Sequence, residues 1–342
     1  MSTIRRRTLG LLAGGAVLAA IAVGPALAQE ARNYILSTAT TGGTYYPVGV
    51  ALATLVKVKL EPSEGIGMSA ISSAGSGENI KLLRENQAQF AIVQGIFGLD
   101  AWNGAGDLVP EGKQENLRSA TMLWQNVEHF LVHNDMVKDG TMADLTTFDG
   151  APFSIGARNS GTEGSGRTIL TNLGIDPESA FELAYMGYGP TADALQNGTV
   201  MGANVPGGVP VGAITQAFAN LGDQLVILDV TDEEMAEVNK NGELWTRYDI
   251  PADTYPGQVE AVATIAQPNF LAVNADVPEE DVYQITKTIY ENLGFLNNIH
   301  AATKVMALDK AIAGLPAPLH PGALRFYEEQ GMTIPDRLRP PS

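Results

Sequence analysis

Past the first thirty residues, short apolar runs alternate with stretches whose apolar positions recur at helical spacing. That rhythm predicts an α/β layout. Asn33 to Ala39 reads as a strand, Thr40 to Thr44 as a glycine loop, and Tyr45 to Leu60 as a helix. Ile66 to Ser72 is a second strand, Ala74 to Gly77 a second glycine loop, Glu78 to Glu85 a helix, and Phe90 to Val93 a third strand. The mostly apolar segment Ala120 to Val132 predicts one long strand leaving this unit.

The pattern then restarts. Pro152 to Gly156 is a strand, Arg158 to Gly161 a loop and Thr162 to Leu173 a helix. Phe181 to Met186, a Gly187–Pro190 loop, a helix over Thr191 to Gln196 and a strand over Met201 to Val205 complete a second unit. Residues 82–95 set against 194–207 match Leu83 with Leu195, Ala91 with Ala203, Val93 with Val205 and Gly95 with Gly207. Gly43-Thr44 pairs in the same way with Gly161-Thr162, each after a strand and opening a helix. Further on, Val209 to Asn220 and Glu233 to Val238 read as helices. Tyr248 to Gly257, with Pro251 and Pro256, reads as a connector, and Val259 to Val273 as a β crossing broken at Gln267-Pro268. Helices are predicted over Val282 to Leu296, Ala301 to Ile312 and Pro321 to Glu329. The expectation is a hinged binding protein with lobe 1 over 29–126 and 259–342, and lobe 2 over 127–258.

The N-terminus refines this picture. Residues 1–28 carry a basic start, an apolar run from about Leu9 to Val23, and Ala26-Leu27-Ala28 before Gln29. They predict a secretory signal peptide cut after Ala28, with a loose twin-arginine character at Arg6-Arg7. The expected location is the periplasm. The remaining 342 − 28 = 314 residues have a net charge of (21 − 3) − 38 = −20. So acidic a chain lacks the basic face that nucleic acid demands, and no basic cluster argues for anionic lipid. With no cysteine, disulfides, thiolate metal sites and cysteine nucleophiles are excluded.

One motif invites an enzymatic reading. Gly161 to Thr168 runs G-x-x-x-x-G-R-T, one residue from a phosphate loop, and Leu225 to Asp229 resembles a magnesium-holding strand. Arg167 cannot simply replace the loop lysine, because a planar fork and a point charge engage phosphate differently. An exported chain also meets no ATP. The four histidines lack metal-ligand spacing and G-x-S-x-G is absent, so neither enzymatic activity nor any cofactor is expected.

What the loops offer instead is anion binding. A helix start leaves backbone N–H groups unpaired and carries partial positive charge. Ends at Thr44-Tyr45 and Ser160-Gly161-Thr162, facing across a cleft, would clamp a small carboxylate. Gly43, Ser73, Ser76, Gln94, Asn204 and Gly207 are further candidates, by close backbone approach, hydroxyl or amide. Arg158 is either a bidentate partner for a ligand carboxylate or a solvated loop cation.

Five segments then carry a family resemblance: GGTYYPVG (42–49), SAGSGENIKLL (73–83), NSGTEGSGR (159–167), IPADTYPGQ (250–258) and PLHPGALRFYEEQG (318–331). In this order they resemble the TAXI subfamily of TRAP transporter solute receptors. The resemblance implies a type II periplasmic-binding-protein fold, two α/β lobes joined by two crossover strands with the ligand cleft between them. It implies delivery of a glutamate- or 2-oxoglutarate-like carboxylate to a membrane-embedded TRAP permease, commonly sodium-driven. Family cleft positions fall on Gly43, Thr44, Tyr45, Ser73, Ser76, Ser160, Gly161 and Thr162. Arg158-Asn159 departs from the Pro-Gly usual in the family loop. An ATP-driven importer or a sensor kinase is the alternative partner.

Overall fold

The computed structural model describes residues 31–341; the expected signal peptide lies outside them. The first half runs β1 (Arg32–Ser37), α1 (Tyr45–Glu64), β2 (Ile66–Ile71), α2 (Ser76–Arg84), β3 (Phe90–Gln94), α3 (Gly95–Asn103) and β4 (Leu117–Val127). Next come β5 (Phe130–His133), β6 (Pro152–Ser154), α4 (Gly161–Asn172), α5 (Pro177–Ala180), β7 (Glu182–Ala184), α6 (Tyr188–Gln196), β8 (Gly202–Asn204), α7 (Gly212–Leu221) and β9 (Leu225–Ile227). The chain ends with α8 (Asp232–Val238), β10 (Thr246–Ile250), β11 (Val262–Asn274), α9 (Glu279–Glu291), α10 (Leu293–Ile299) and α11 (Pro321–Glu329).

Two sheets organise these elements. In the first, β2, β1 and β3 run parallel, and β11 inserts antiparallel between β3 and β4, with β10 pairing its first residues. In the second the order is β7-β6-β8-β5-β9, with β5 inserted antiparallel between β8 and β9. The two sheets therefore share one plan: second, first and third strands side by side, then an intruder, then the fourth. In that plan β3 and β8 correspond, as do α1 and α4, which is the element order the weak internal repeat predicts. The central strand β3 is buried along its whole length, as its Phe-Ala-Ile-Val run requires. One apolar cluster covers the first sheet and two cover the second.

Several expectations need correction. The strand drawn over 120–132 is two strands, β4 in one sheet and β5 in the other. The break falls at Glu128-His129, both fully buried, where the chain changes sheets. The connector over 248–257 contains β10, whose five residues pair with β11. Pro268 does not break the crossing strand, because pairing with β3 begins only at Asn269, one residue later. The ring instead packs against Gly95 and Gly314. Residues 301–312 form separate 3₁₀ turns, Ala301–Val305 and Leu308–Lys310, and α3 was not foreseen.

Candidate functional site

The starts of four helices, α1, α2, α4 and α6, meet at a small cavity between the two sheets. Each start has a local cause. Gly75 precedes α2 at φ 129°, a conformation that favours glycine. Ser160 caps α4, its Oγ accepting from the Glu163 N–H at 3.0 Å. Gly43-Thr44 and Gly187 lead into α1 and α6, and both lie on the cavity wall.

The walls are in contact, so the structure is a closed form. A Cβ on Gly161 would come within 2.7 Å of Gln94 Cδ and Ser76 Oγ, and one on Gly77 within 2.5 Å of the Asn159 carbonyl. Glu78 N–H donates to Asn159 O at 3.0 Å, and Ala213 N–H to Gly42 O at 3.1 Å. Thr44 Oγ1 donates to Gly208 O at 3.0 Å and accepts from Gly208 N–H at 3.1 Å. Glycines at these points are required by the approach of the two halves.

Of the residues expected from the sequence, Gly43, Thr44, Tyr45, Ser76, Gln94, Ser160, Gly161, Thr162 and Gly207 line the cavity. Ser73, Arg158 and Asn204 do not. Ser73 Oγ bonds Thr38 O and Asn79 Oδ1 at the base of α2. The Arg158 guanidinium lies 3.7 Å from the centre of the Tyr185 ring. Asn204 is buried one layer deeper.

The sequence reading missed Asn126 and Tyr188. The Tyr45 hydroxyl donates to Asn269 Oδ1, and Asn269 Nδ2 donates to Asn126 Oδ1 at 3.3 Å. This relay orients the Asn126 amide and leaves its Nδ2, on a residue only 1% exposed, without a partner at the cavity wall. Gln94 Oε1 is likewise buried and unpaired. Across the cavity the Tyr188 hydroxyl donates to Pro206 O at 2.5 Å and accepts from Thr162 Oγ1 at 2.7 Å. The Thr162 proton is therefore held inside the protein. Burial keeps the Tyr45 and Tyr188 hydroxyls protonated far above their ordinary range.

Among the described residues, no side chain on the cavity wall carries a charge. The unpaired Asn126 Nδ2, serine hydroxyls and helix-start N–H groups are the donors it presents, an arrangement chemically able to receive an anion through neutral groups. Just beyond Asn126, Glu128 is fully buried, and burial raises its carboxyl to about 7 against the pull of neighbouring donors. The signal for both was a polar Gln125-Asn126 and Glu128-His129 inside an otherwise apolar run.

The phosphate-loop reading finds no support in the placement of Arg167. It pairs with Glu178 at 2.7 Å and with the Tyr185 hydroxyl, on the outer side of α4. Among the described residues no group of three His, Asp or Glu side chains could hold a metal ion. None of the described helices is long and apolar enough to cross a membrane.

Solved structures share this architecture. MatC from Rhodopseudomonas palustris, with malate bound, is 12% identical, with a TM-score of 0.53 over 86% of this chain and 98% of its own. The binding component of an ABC phosphonate transporter from Pseudomonas aeruginosa is 10% identical, with a TM-score of 0.52 over 80% of this chain and 79% of its own. The fold is that of the type II periplasmic binding proteins, two α/β lobes around a cleft. The sequence profile of the NMT1-like family matches residues 36–331, most of the described chain, and the protein belongs to that family.

Proposed function

We propose that the protein is an extracytoplasmic solute receptor that captures a small carboxylate and hands it to an ion-gradient-driven TRAP permease. The observation that carries this reading is the closed cavity itself: four helix starts and the unpaired Asn126 amide around a wall without a charged side chain. Ligand enters an open form, the lobes close, and helix-start N–H groups with Asn126 Nδ2 hold its carboxylate. Charge-assisted hydrogen bonds of roughly 1.5–3 kcal/mol each, a handful in number, support a dissociation constant of about micromolar order after the cost of closure. With no carboxylate on the wall to receive an ammonium group, 2-oxoglutarate and similar dicarboxylates fit better than glutamate.

The malate in MatC supports a dicarboxylate in this fold. The TRAP partner rests on the ordered motifs of the loops and the C-terminal helix. The phosphonate-transporter relative keeps an ATP-driven importer as the second reading of the partner. A genomic neighbour encoding a fused multi-span permease supports the first; a nucleotide-binding subunit there supports the second. For the ligand, thermal-shift and calorimetric screening should show stabilisation by 2-oxoglutarate or malate and little by sugars. Absence of binding by every small carboxylate would remove the reading.

A further inference from the structure

Glu128 stands where the chain crosses from β4 to β5, and its side chain has no surface in contact with water. Its backbone is anchored on the other crossing strand: its N–H donates to Ile265 O at 2.9 Å and its carbonyl accepts from Thr264 Oγ1 at 2.9 Å. Ser165 of α4, Asn204 of β8, Trp245 before β10 and Gln267 of β11 turn four neutral donors toward the carboxylate. None closes a hydrogen bond of normal geometry to it in this structure. Gln267 Oε1 accepts from the Ile96 N–H at 2.9 Å, so its amino end is the one left for Glu128.

Among the described residues no cation answers this carboxylate. On α4, Arg167 is engaged by Glu163 and Glu178, and on β10, Arg247 by Asp232 and two backbone carbonyls. His129 beside it is neutral, its ring nitrogens bonded to Val127 O and the Tyr255 hydroxyl. The titratable groups that feel the charge of Glu128 are Tyr45 on α1 and Tyr188 on α6, both on the cavity wall.

Glu128 therefore lies close beneath a cavity that receives an anion. It is two residues beyond Asn126, roughly 7 Å in extended chain, and its neighbour Ser165 is one turn along the helix that starts at Gly161. A second negative charge in the neighbouring cavity, across a water-poor interior, repels strongly enough to raise a carboxyl's proton affinity about tenfold or more. We propose that Glu128 is a proton-binding site linked to the cavity, so that an anion is captured together with a proton. This inference rests on the carboxylate reading above. Because burial raises the Glu128 carboxyl to about 7 in this closed form, the uptake falls in the neutral range. Binding is favoured at low pH, and the dissociation constant rises as pH climbs from about 7 through the higher pKa of the complex.

Calorimetric titration of 2-oxoglutarate in Pipes and in Tris, buffers of different ionisation enthalpy, counts the protons exchanged. At pH 7 we expect uptake of about half a proton per ligand, with the dissociation constant rising by up to about tenfold per pH unit above neutrality. E128Q, nearly isosteric, should abolish the uptake and flatten that pH profile. A protonated-carboxyl stretch gained in the infrared difference spectrum of the unaltered protein gives the same information should the variant misfold. Binding without proton uptake, or uptake that persists in E128Q, overturns the proposal and leaves the carboxylate reading intact. If no small carboxylate binds, both fall together.

Discussion

Thr44 and Thr162 each open a helix at the cavity, yet the hydroxyl of each is occupied within the protein, Thr44 by Gly208 and Thr162 by Tyr188. A residue type at a helix start announces a donor; which atom receives the proton depends on what the fold brings near. Replacing Asn126 with leucine should therefore weaken carboxylate binding by about tenfold or more, because it removes the oriented free donor. Arg158→Ala should change affinity less than about twofold, its guanidinium being stacked on Tyr185 away from the cavity. Calorimetry on both variants checks the pair, and a large loss in Arg158→Ala would place that cation on the ligand.

Acid stability is also set by single residues. His129 and His320 are buried neutral, lowered to about 4. Between about 6.5 and 4 the unfolded chain holds their protons and the folded chain does not, so each costs stability as pH falls, on the order of 3 kcal/mol in full. Glu128, raised to about 7, does the opposite. Between about 7 and 4.5 the folded form holds a proton that the unfolded form lacks, and acidification stabilises. Two histidines outweigh one carboxyl, so the melting temperature should fall on acidification. It should fall more steeply in E128Q, where the opposing contribution is gone. Equal slopes in the two proteins would show that Glu128 does not titrate in this range.

At the scale of elements, the glycine loops were legible because a backbone that must turn tightly leaves a signature in composition. Helix starts at Tyr45, Gly161 and Tyr188 fall within a few residues of their expected places. The failures share one cause. β10 carries proline and acidic neighbours and earns its strand only by pairing with β11, while the apolar spacing over 301–312 packs as turns against the first lobe's core. Local pattern does not reveal which partner supplies the missing hydrogen bonds. The glycine at the head of α4 gives a sharp test of the closed geometry. Gly161→Ala should leave the fold intact but obstruct closure on Gln94 and Ser76, raising the dissociation constant about tenfold or more. An unchanged constant would mean that the ligand-bound form is more open than this one.

For the whole molecule the decisive feature is that two like-built halves meet around a cavity they share. Hydrogen bonds from Glu78 to Asn159 and from Ala213 to Gly42 join the two halves, and Thr44 bonds Gly208 beside them. Small-angle scattering should show a larger radius of gyration without ligand than with it, and Thr44→Val should weaken binding a few-fold by taking one clasp from the closed state. Identical scattering curves with and without ligand would argue against a hinge.

The sequence by itself determined the α/β rhythm, the two repeated units and the glycine-lined helix starts, because each follows from side-chain spacing and backbone freedom within a few residues. Only the tertiary structure decided that Asn126 would face the cavity with a free amide, that Arg158 would turn aside, and that Glu128 would be buried beneath the site. Those outcomes depend on contacts between residues far apart in the chain, such as Asn126 with Asn269 and Glu128 with Ser165, and burial and hydrogen-bond supply exist only once the strands have crossed.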